Sequence, residues 1–308
     1  DLPSGYWALD YDDPIRREVR EKVAYQTMLE NQISLDALAL EDILPKVYER
    51  SNGQITVHTM DDEQCADFVA PEDGFNRGFN SIFTFDLSSE DFEFQADHIV
   101  GNYPLVYASA DVLILTENAW DWWLFWGNDG MAEATNIHTF DISQAGDTTY
   151  TGSGRVNGTI LNQFSLSEHE GIVRVAVTSG QWARWWMENP EPMSSSVVTF
   201  TRSVDVQTDQ QIIIEVGRVD NIAPEERIWS ARFDGDRCYL VTFRQIDPLW
   251  VIDMSDETNP TILGELEVPG VSTYIHPLSR DHLLTIGMGP GEADGTGLDW
   301  SSTRLSLF

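Results

Sequence analysis

Ser81–Ser88 reads SIFTFDLS and Asn136–Ser143 reads NIHTFDIS, the same strand ending met twice, 55 residues apart. Val197–Arg202 (VVTFTR) is a weaker copy that lacks the Asp, and Leu249–Ser255 (LWVIDMS) is a fourth. Leu305–Phe308 (LSLF) ends one residue before a further copy would supply its Asp. A unit of strands and turns recurring every ~50–60 residues is the mark of a propeller or an all-β array. The expected fold is therefore all-β: a β-propeller with an incomplete set of blades in this chain, preceded by an N-terminal helical hairpin.

Working outward, the first residues are unlike the rest. Asp12 or Asp13 can cap a helix with Pro14 in its first turn, and Ile15, Val19 and Val23 recur at four-residue spacing. A second helix is expected from Ser34, carrying Leu35, Leu38, Leu40, Ile43 and Leu44 and ending near Pro45. Residues 1–52 are read as a helical lead-in or insertion and 53–308 as blades, the last one truncated. Alternating strands are clear at Ile55–His58, Val112–Leu115, Ile172–Val177, Tyr239–Phe243 and Leu283–Ile286. Turns fall at Glu170-Gly171, Asp234-Gly235-Asp236 and Pro269-Gly270. Each unit reads as an F-D-[LI]-S strand, a second strand, then a hairpin into a strongly apolar third strand. A cut propeller leaves two sheet edges open, so the remaining blades are expected from the same longer polypeptide.

Composition bounds the rest. With 308 residues, 42% hydrophobic and 11% aromatic, the chain can bury a core. No stretch offers the ~18 uninterrupted apolar residues of a membrane helix, and the first ten residues do not open a signal peptide. The 51 acidic residues outnumber the 18 basic ones for a net charge of −33, and only Lys22 and Lys46 are lysines. Such a surface repels nucleic acid and anionic membranes. It suits a saline or calcium-rich exterior, where salt screens self-repulsion and carboxylates hold cations. Cys65 lies in a loop and Cys238 in a strand; they form one bridge, or Cys238 is a small buried hydrophobe.

Leu161–Ser167 (LNQFSLS), Glu226–Phe233 (ERIWSARF), Asp236–Asp253 (DRCYLVTFRQIDPLWVID) and Asn259–Pro269 (NPTILGELEVP) carry a resemblance. They resemble the secreted prokaryotic proteins with a C-terminal β-propeller domain, distantly related to WD-repeats. The likeness is dense over Arg155–Gly287 and looser over Ser81–Arg155. It implies an exported or surface-anchored propeller with further blades on both sides, and supplies no reaction.

Two tryptophan-rich stretches are the leading candidates for contact. Ala119–Gly127 (AWDWWLFWG) contributes Trp120, Trp122, Trp123 and Trp126, and Gly180–Met187 (GQWARWWM) contributes Trp182, Trp185 and Trp186. Both follow the apolar strand of their units, which places them on one rim. Exposed Trp clusters suit sugar faces and protein hot spots; folded back, the same residues would cap the blades. A polar set in the family-like block, Glu226, Arg227, Arg232, Arg244, Gln245 and Asp247, is expected to form a network around the channel, structural or anion-binding. Glu292, Asp294 and Asp299, in a glycine-rich loop, are the candidate calcium ligands, although the loop lacks the EF-hand spacing. The six histidines form no i,i+4 pair, and no G-x-S-x-G, phosphate loop or dinucleotide fingerprint occurs.

The reading that follows is a secreted or cell-surface (or periplasmic) propeller, a non-catalytic scaffold that binds protein or glycan. One alternative is an exported enzyme with a metal or Arg/carboxylate site in the channel. Another is a calcium-stabilised component of a surface assembly. Propellers host all three.

Overall fold

Strands that are apolar at every second residue on both faces must be covered on both faces, and short sheets stacked side by side achieve this. The computed structural model describes residues 14–60, 68–71, 78–88, 94–119, 133–180, 188–243, 247–292 and 297–308. The chain forms two compact units, Asp1–Asp67 and Phe68–Phe308.

In the first unit, helix α1 (Pro14–Asp36) is followed by the single-turn helix α2 (Leu40–Ile43) and a hairpin of strands β1 (Lys46–Ser51) and β2 (Gln54–Thr59). The helix expected to start at Ser34 is merged into α1. Ser34 is not a cap there, because its hydroxyl donates back to the Glu30 carbonyl at 2.9 Å. The hairpin turns at Asn52-Gly53, both at positive φ, as a two-residue I′ connection requires. Position 52, where the sequence places its domain division, lies in this turn; the compact units part after Asp67.

The second unit is a row of mainly antiparallel sheets, with β3 and β5 of the first paired in parallel. Strands β3 (Phe68–Val69), β4 (Phe79–Phe85) and β5 (Phe94–Val100) make the first blade. The second is a meander of β6 (Leu105–Ala108), β7 (Val112–Asn118), β8 (Ala134–Asp141) and β9 (Thr149–Asn157). The third joins β10 (Thr159–Ile160) and β11 (Leu166–His169) to β12 (Ile172–Ser179), β13 (Ser194–Val204) and β14 (Gln211–Ile222). One parallel bridge, Ile212 to Ser153, ties its outer strand to that of the second blade. The fourth is β15 (Arg227–Asp234), β16 (Arg237–Phe243), β17 (Asp247–Asp253) and β18 (Thr261–Val268). The fifth is β19 (Val271–Ser279), β20 (His282–Met288) and β21 (Arg304–Leu307).

Four core layers lie between consecutive blades, and strand alternation sorts residues into them. In β12, Val173, Val175 and Val177 face the second blade, whereas Ala176 faces the fourth. In β16, Cys238 and Leu240 face the third blade, whereas Tyr239 and Val241 face the fifth. Ile82 and Ile99 of the first blade meet Leu115 and Phe140 of the second. Each such aliphatic side chain contributes roughly 1.5–3 kcal/mol on burial.

In the second, third and fourth blades the sequence repeat is the third strand (β8, β13, β17), the uncompleted copy is the third strand β21 of the fifth, and in the first blade it is β4, an edge strand paired with β5. The apolar strand that ends each sequence unit is the second strand of the next blade. Sequence unit and blade are therefore out of phase, and each unit links two neighbouring sheets. The repeated Asp stops the strand with a side-chain turn. Asp86 accepts from Ser88 N and Oγ at 2.8 and 2.6 Å, and Asp141 from Ser143 N and Oγ at 2.9 and 2.6 Å. Asp253 accepts from Ser255 N at 2.9 Å. The copy that has lost its Asp runs on: β13 continues to Val204, and Asp205 then accepts from Gln207 N at 2.7 Å.

Candidate functional site

The first strands of neighbouring blades, β6, β11, β15 and β19, sit at one end of each blade's strand order. Between the first three lies a cavity of about 370 Å³, within the range of small-ligand sites. Val106, Tyr107 and Ala108 line it from β6, Arg232 and Phe233 from β15, and Gln163, Phe164, Leu166 and Ser167 from the third blade. The chain enters that wall through a 3-10 turn over Gln163–Ser165. The Asn162 side chain caps it by accepting from Phe164 N at 2.9 Å, which fixes Phe164 in the wall.

Arg232 lies across the ring of Phe164, its guanidinium carbon 5.2 Å from the ring centroid. Among the described residues no carboxylate comes within ion-pair distance of it, in a protein with 51 acidic residues. Behind the cavity, Arg174 is only 2% exposed, with both terminal nitrogens engaged and its Nε buried without a hydrogen bond. Its Nη1 donates to the Gly235 carbonyl at 2.6 Å and its Nη2 to Ser167 Oγ at 2.9 Å. It lies 5.3 Å over Phe233 and 3.6 Å from Glu257 Oε1. Burial pushes the Glu257 carboxyl up and the Arg174 guanidinium down despite their attraction, so desolvation outweighs the pair. Tyr107 closes the wall, its hydroxyl accepting from Glu168 N at 3.3 Å. The aromatic run continues to Tyr274 of β19, 5.4 Å edge-on from Phe164.

Of the polar set expected from the sequence, Glu226, Arg227 and Arg232 are described. Glu226 accepts from Thr242 Oγ1 at 2.6 Å, and Trp250 Nε1 donates to the same hydroxyl at 3.1 Å. Arg227 lies 5.0 Å over Trp229. Arg244, Gln245 and the Asp247 side chain lie outside the described residues. So do all seven candidate tryptophans, Trp120, Trp122, Trp123, Trp126, Trp182, Trp185 and Trp186. Their stretches connect second to third strands of adjacent blades, bracketed by Asn118 and Ala134 and by Ser179 and Ser194. In the glycine-rich loop, Asp294 is outside the described residues. Asp299 accepts from Ser301 N, Ser301 Oγ and Ser302 Oγ at 3.0, 2.6 and 2.7 Å, and Glu292 is exposed. Among the described residues no three His, Cys, Asp or Glu side chains group as metal ligands. Cys238 is a free, fully buried thiol whose pKa burial raises; Cys65 is not described.

Sequence reasoning singled out Arg232 but missed Tyr107, Phe164 and Arg174. The one available signal was Arg174 itself, a lone charge inside the apolar alternation IVRVAV.

A family model described as a beta propeller domain matches residues 16–308. The chain belongs to the beta propeller domain family. The propeller is also similar to an uncharacterized protein of Methanocaldococcus jannaschii, 36% identical over 173 residues. A second uncharacterized protein, from Archaeoglobus fulgidus, is 35% identical over 176 residues. These stretches cover 56% and 57% of this chain and 23% of each relative, so the propeller matches under a quarter of their length. No helix among its described residues is long and apolar enough to cross a membrane.

Proposed function

We propose that this propeller is a non-catalytic binding and scaffold module whose ligand seat is the cavity among the first strands of three blades. The observation that carries the reading is Arg232, a guanidinium held over the Phe164 ring at the cavity wall without an acidic partner among the described residues. Its remaining donors are presented to whatever enters. Among the described residues that line the cavity there is no Asp, Glu, His, Cys or Lys. The carboxylates, imidazoles, thiols and amines that most often do general acid–base work are thus missing from the described lining. The wall is built to hold and orient a ligand.

The wider setting belongs to the same proposal. The acidic surface and the resemblance to secreted propellers support an exported or cell-surface location, with the tryptophan stretches meeting a protein or glycan there. Apolar outer faces on the first and fifth blades support further blades from the same longer polypeptide.

The test is capture of ligands from a panel of sugars, amino acids and organic acids, followed by protein-observed NMR, with Phe164→Ala beside the wild type. The reading expects ligands whose affinity falls at least about tenfold in the variant while both proteins melt alike. Ligands indifferent to Phe164→Ala would move the seat elsewhere, and turnover of any ligand would make the propeller an enzyme.

A further inference from the structure

We infer that the cavity takes a singly charged organic anion, a carboxylate attached to an apolar body. This rests on reading the cavity as the ligand seat and adds the chemistry of its occupant.

The charge follows from Arg232. A guanidinium carries five N–H donors in one plane. Contact with the Phe164 ring uses none of these donors, Arg232 makes no side-chain hydrogen bond or ion pair among the described residues, and the guanidinium fork matches the two oxygens of a carboxylate. Among the described residues the other guanidinium close by is Arg174, whose terminal nitrogens are committed to Gly235, Ser167 and Glu257, so one cation is available. The net charge of −33 opposes every further negative charge on a ligand, which disfavours a phosphate dianion. The apolar body follows from the rest of the lining, where Val106, Leu166, Phe164 and Phe233 offer no polar side-chain atom. At ~30 Å³ per water, the cavity's volume corresponds to about a dozen waters, which leaves room for a ring beside the carboxylate.

The ion itself is stabilised in two ways. A charge-assisted, bidentate hydrogen bond is stronger than a neutral one, and the aromatic walls keep the local dielectric low. Gln163 and the Tyr107 hydroxyl can donate to the ligand without adding charge. Arg174 supports the site indirectly by donating to Ser167 Oγ, which holds that hydroxyl against the third-blade wall.

The probes are benzoate, its neutral isostere benzamide, and inorganic phosphate, titrated by calorimetry into the full chain and into Arg232→Met and Arg232→Lys. Benzoate is expected to bind, and to bind at least about tenfold tighter than benzamide. Arg232→Met should weaken benzoate by about 10- to 100-fold and leave benzamide within about twofold. Arg232→Lys, which keeps the charge and loses the fork, should fall between. Arg232 makes no ion pair with a described residue, so the variants should lose no more than its contact with Phe164 and melt within a few degrees of the wild type, which keeps the comparison interpretable. Equal binding of benzoate and benzamide, or benzoate binding indifferent to Arg232→Met, would overturn the charge assignment while the cavity stands as the seat. Arg232-dependent phosphate binding tighter than benzoate would overturn the carboxylate in favour of a dianion. If none of the three probes binds, the inference fails, and the wider panel with Phe164→Ala decides the cavity reading alone.

Discussion

His138 occupies the place in its repeat that Phe83 holds 55 residues earlier, and the substitution has a pH cost. Both ring nitrogens are buried without a hydrogen bond, and the ring sits 6.4 Å from Tyr150. Burial lowers its pKa from 6.5 to about 4. The unfolded chain therefore binds a proton through the window from 6.5 down to about 4 while the folded chain does not. Stability falls with pH across that window and is fully present above it. At ~1.4 kcal/mol per pKa unit, the loss amounts to about 3 kcal/mol. Glu117 and Glu257, raised mainly by burial, act with the opposite sign near their ordinary range and offset part of this. His138→Phe isolates the histidine. Urea unfolding at pH 7.5 and 4.5 should show a smaller drop in the variant by about 2–3 kcal/mol, and equal drops in both proteins would refute the assignment. The turn-forming carboxylates of Asp141, Asp253 and Asp299 are held below their usual range by the Ser side chains and amides they accept from. Their loss comes later, as pH falls through and below the ordinary carboxylate range.

The strand elements were legible because alternation records burial on both faces, but the sheet partition was not. Alternation tells which residues are covered, not which neighbouring strand supplies the hydrogen bonds. Short connections occur both within blades and between them, as at Asp234–Arg237 and Val268–Val271. The repeat Phe shows what the partition does: Phe140 is 1% exposed against the first blade, and Phe200 lies in the layer facing the second. Phe140→Ala should cost about 3–5 kcal/mol in denaturant unfolding. A cost under 1 kcal/mol would mean that this layer does not hold the blades together. Close approach between blades also depends on Gly217 in β14. A Cβ there would stand 2.2 Å from the Glu257 carbonyl and 2.8 Å from Thr199 Oγ1. Backbone cannot yield as a side-chain tip can, so Gly217→Ala is expected to cost at least about 1–3 kcal/mol; an unchanged melting temperature would contradict it. The cavity was legible only in part for a related reason. Tyr107, Phe164 and Arg232 come from three different blades, and no local pattern in a sequence records that meeting. Arg232 stood out by chemistry, whereas Tyr107 and Phe164 look like ordinary strand and turn aromatics.

At the scale of the whole molecule, the stack of blades ends in two faces that repeat the interior chemistry and are partly exposed among the described residues. In the first blade, Phe79, Phe83 and Phe85 point away from the second blade, on the face opposite Ile82. Phe83 and Phe85 meet Phe94 at 6.1 and 6.2 Å, yet Phe85 remains 42% exposed. In the fifth blade, Leu284 pairs with Leu307 and Ile286 with Leu305, on the face opposite Leu283. Leu305 and Leu307 are 65% and 64% exposed. A uniform excess of negative charge keeps such faces apart at low salt, with a reach of about 10 Å at 0.1 M and about 3 Å at 1 M. The chain of 308 residues should therefore be monomeric at low ionic strength and associate as salt is raised, with binding of an apolar dye that falls as it does so. Sedimentation of Leu305→Ser with Leu307→Ser, and separately of Phe83→Ser with Phe85→Ser, tests which face is responsible. Each pair should shift the salt-induced association to higher concentration by severalfold. The leucine pair should do so without lowering the melting temperature, since those side chains already sit mostly in water. Salt-independent monomers that bind no dye would mean that these faces are covered within the chain, and the case for further blades would lose its support.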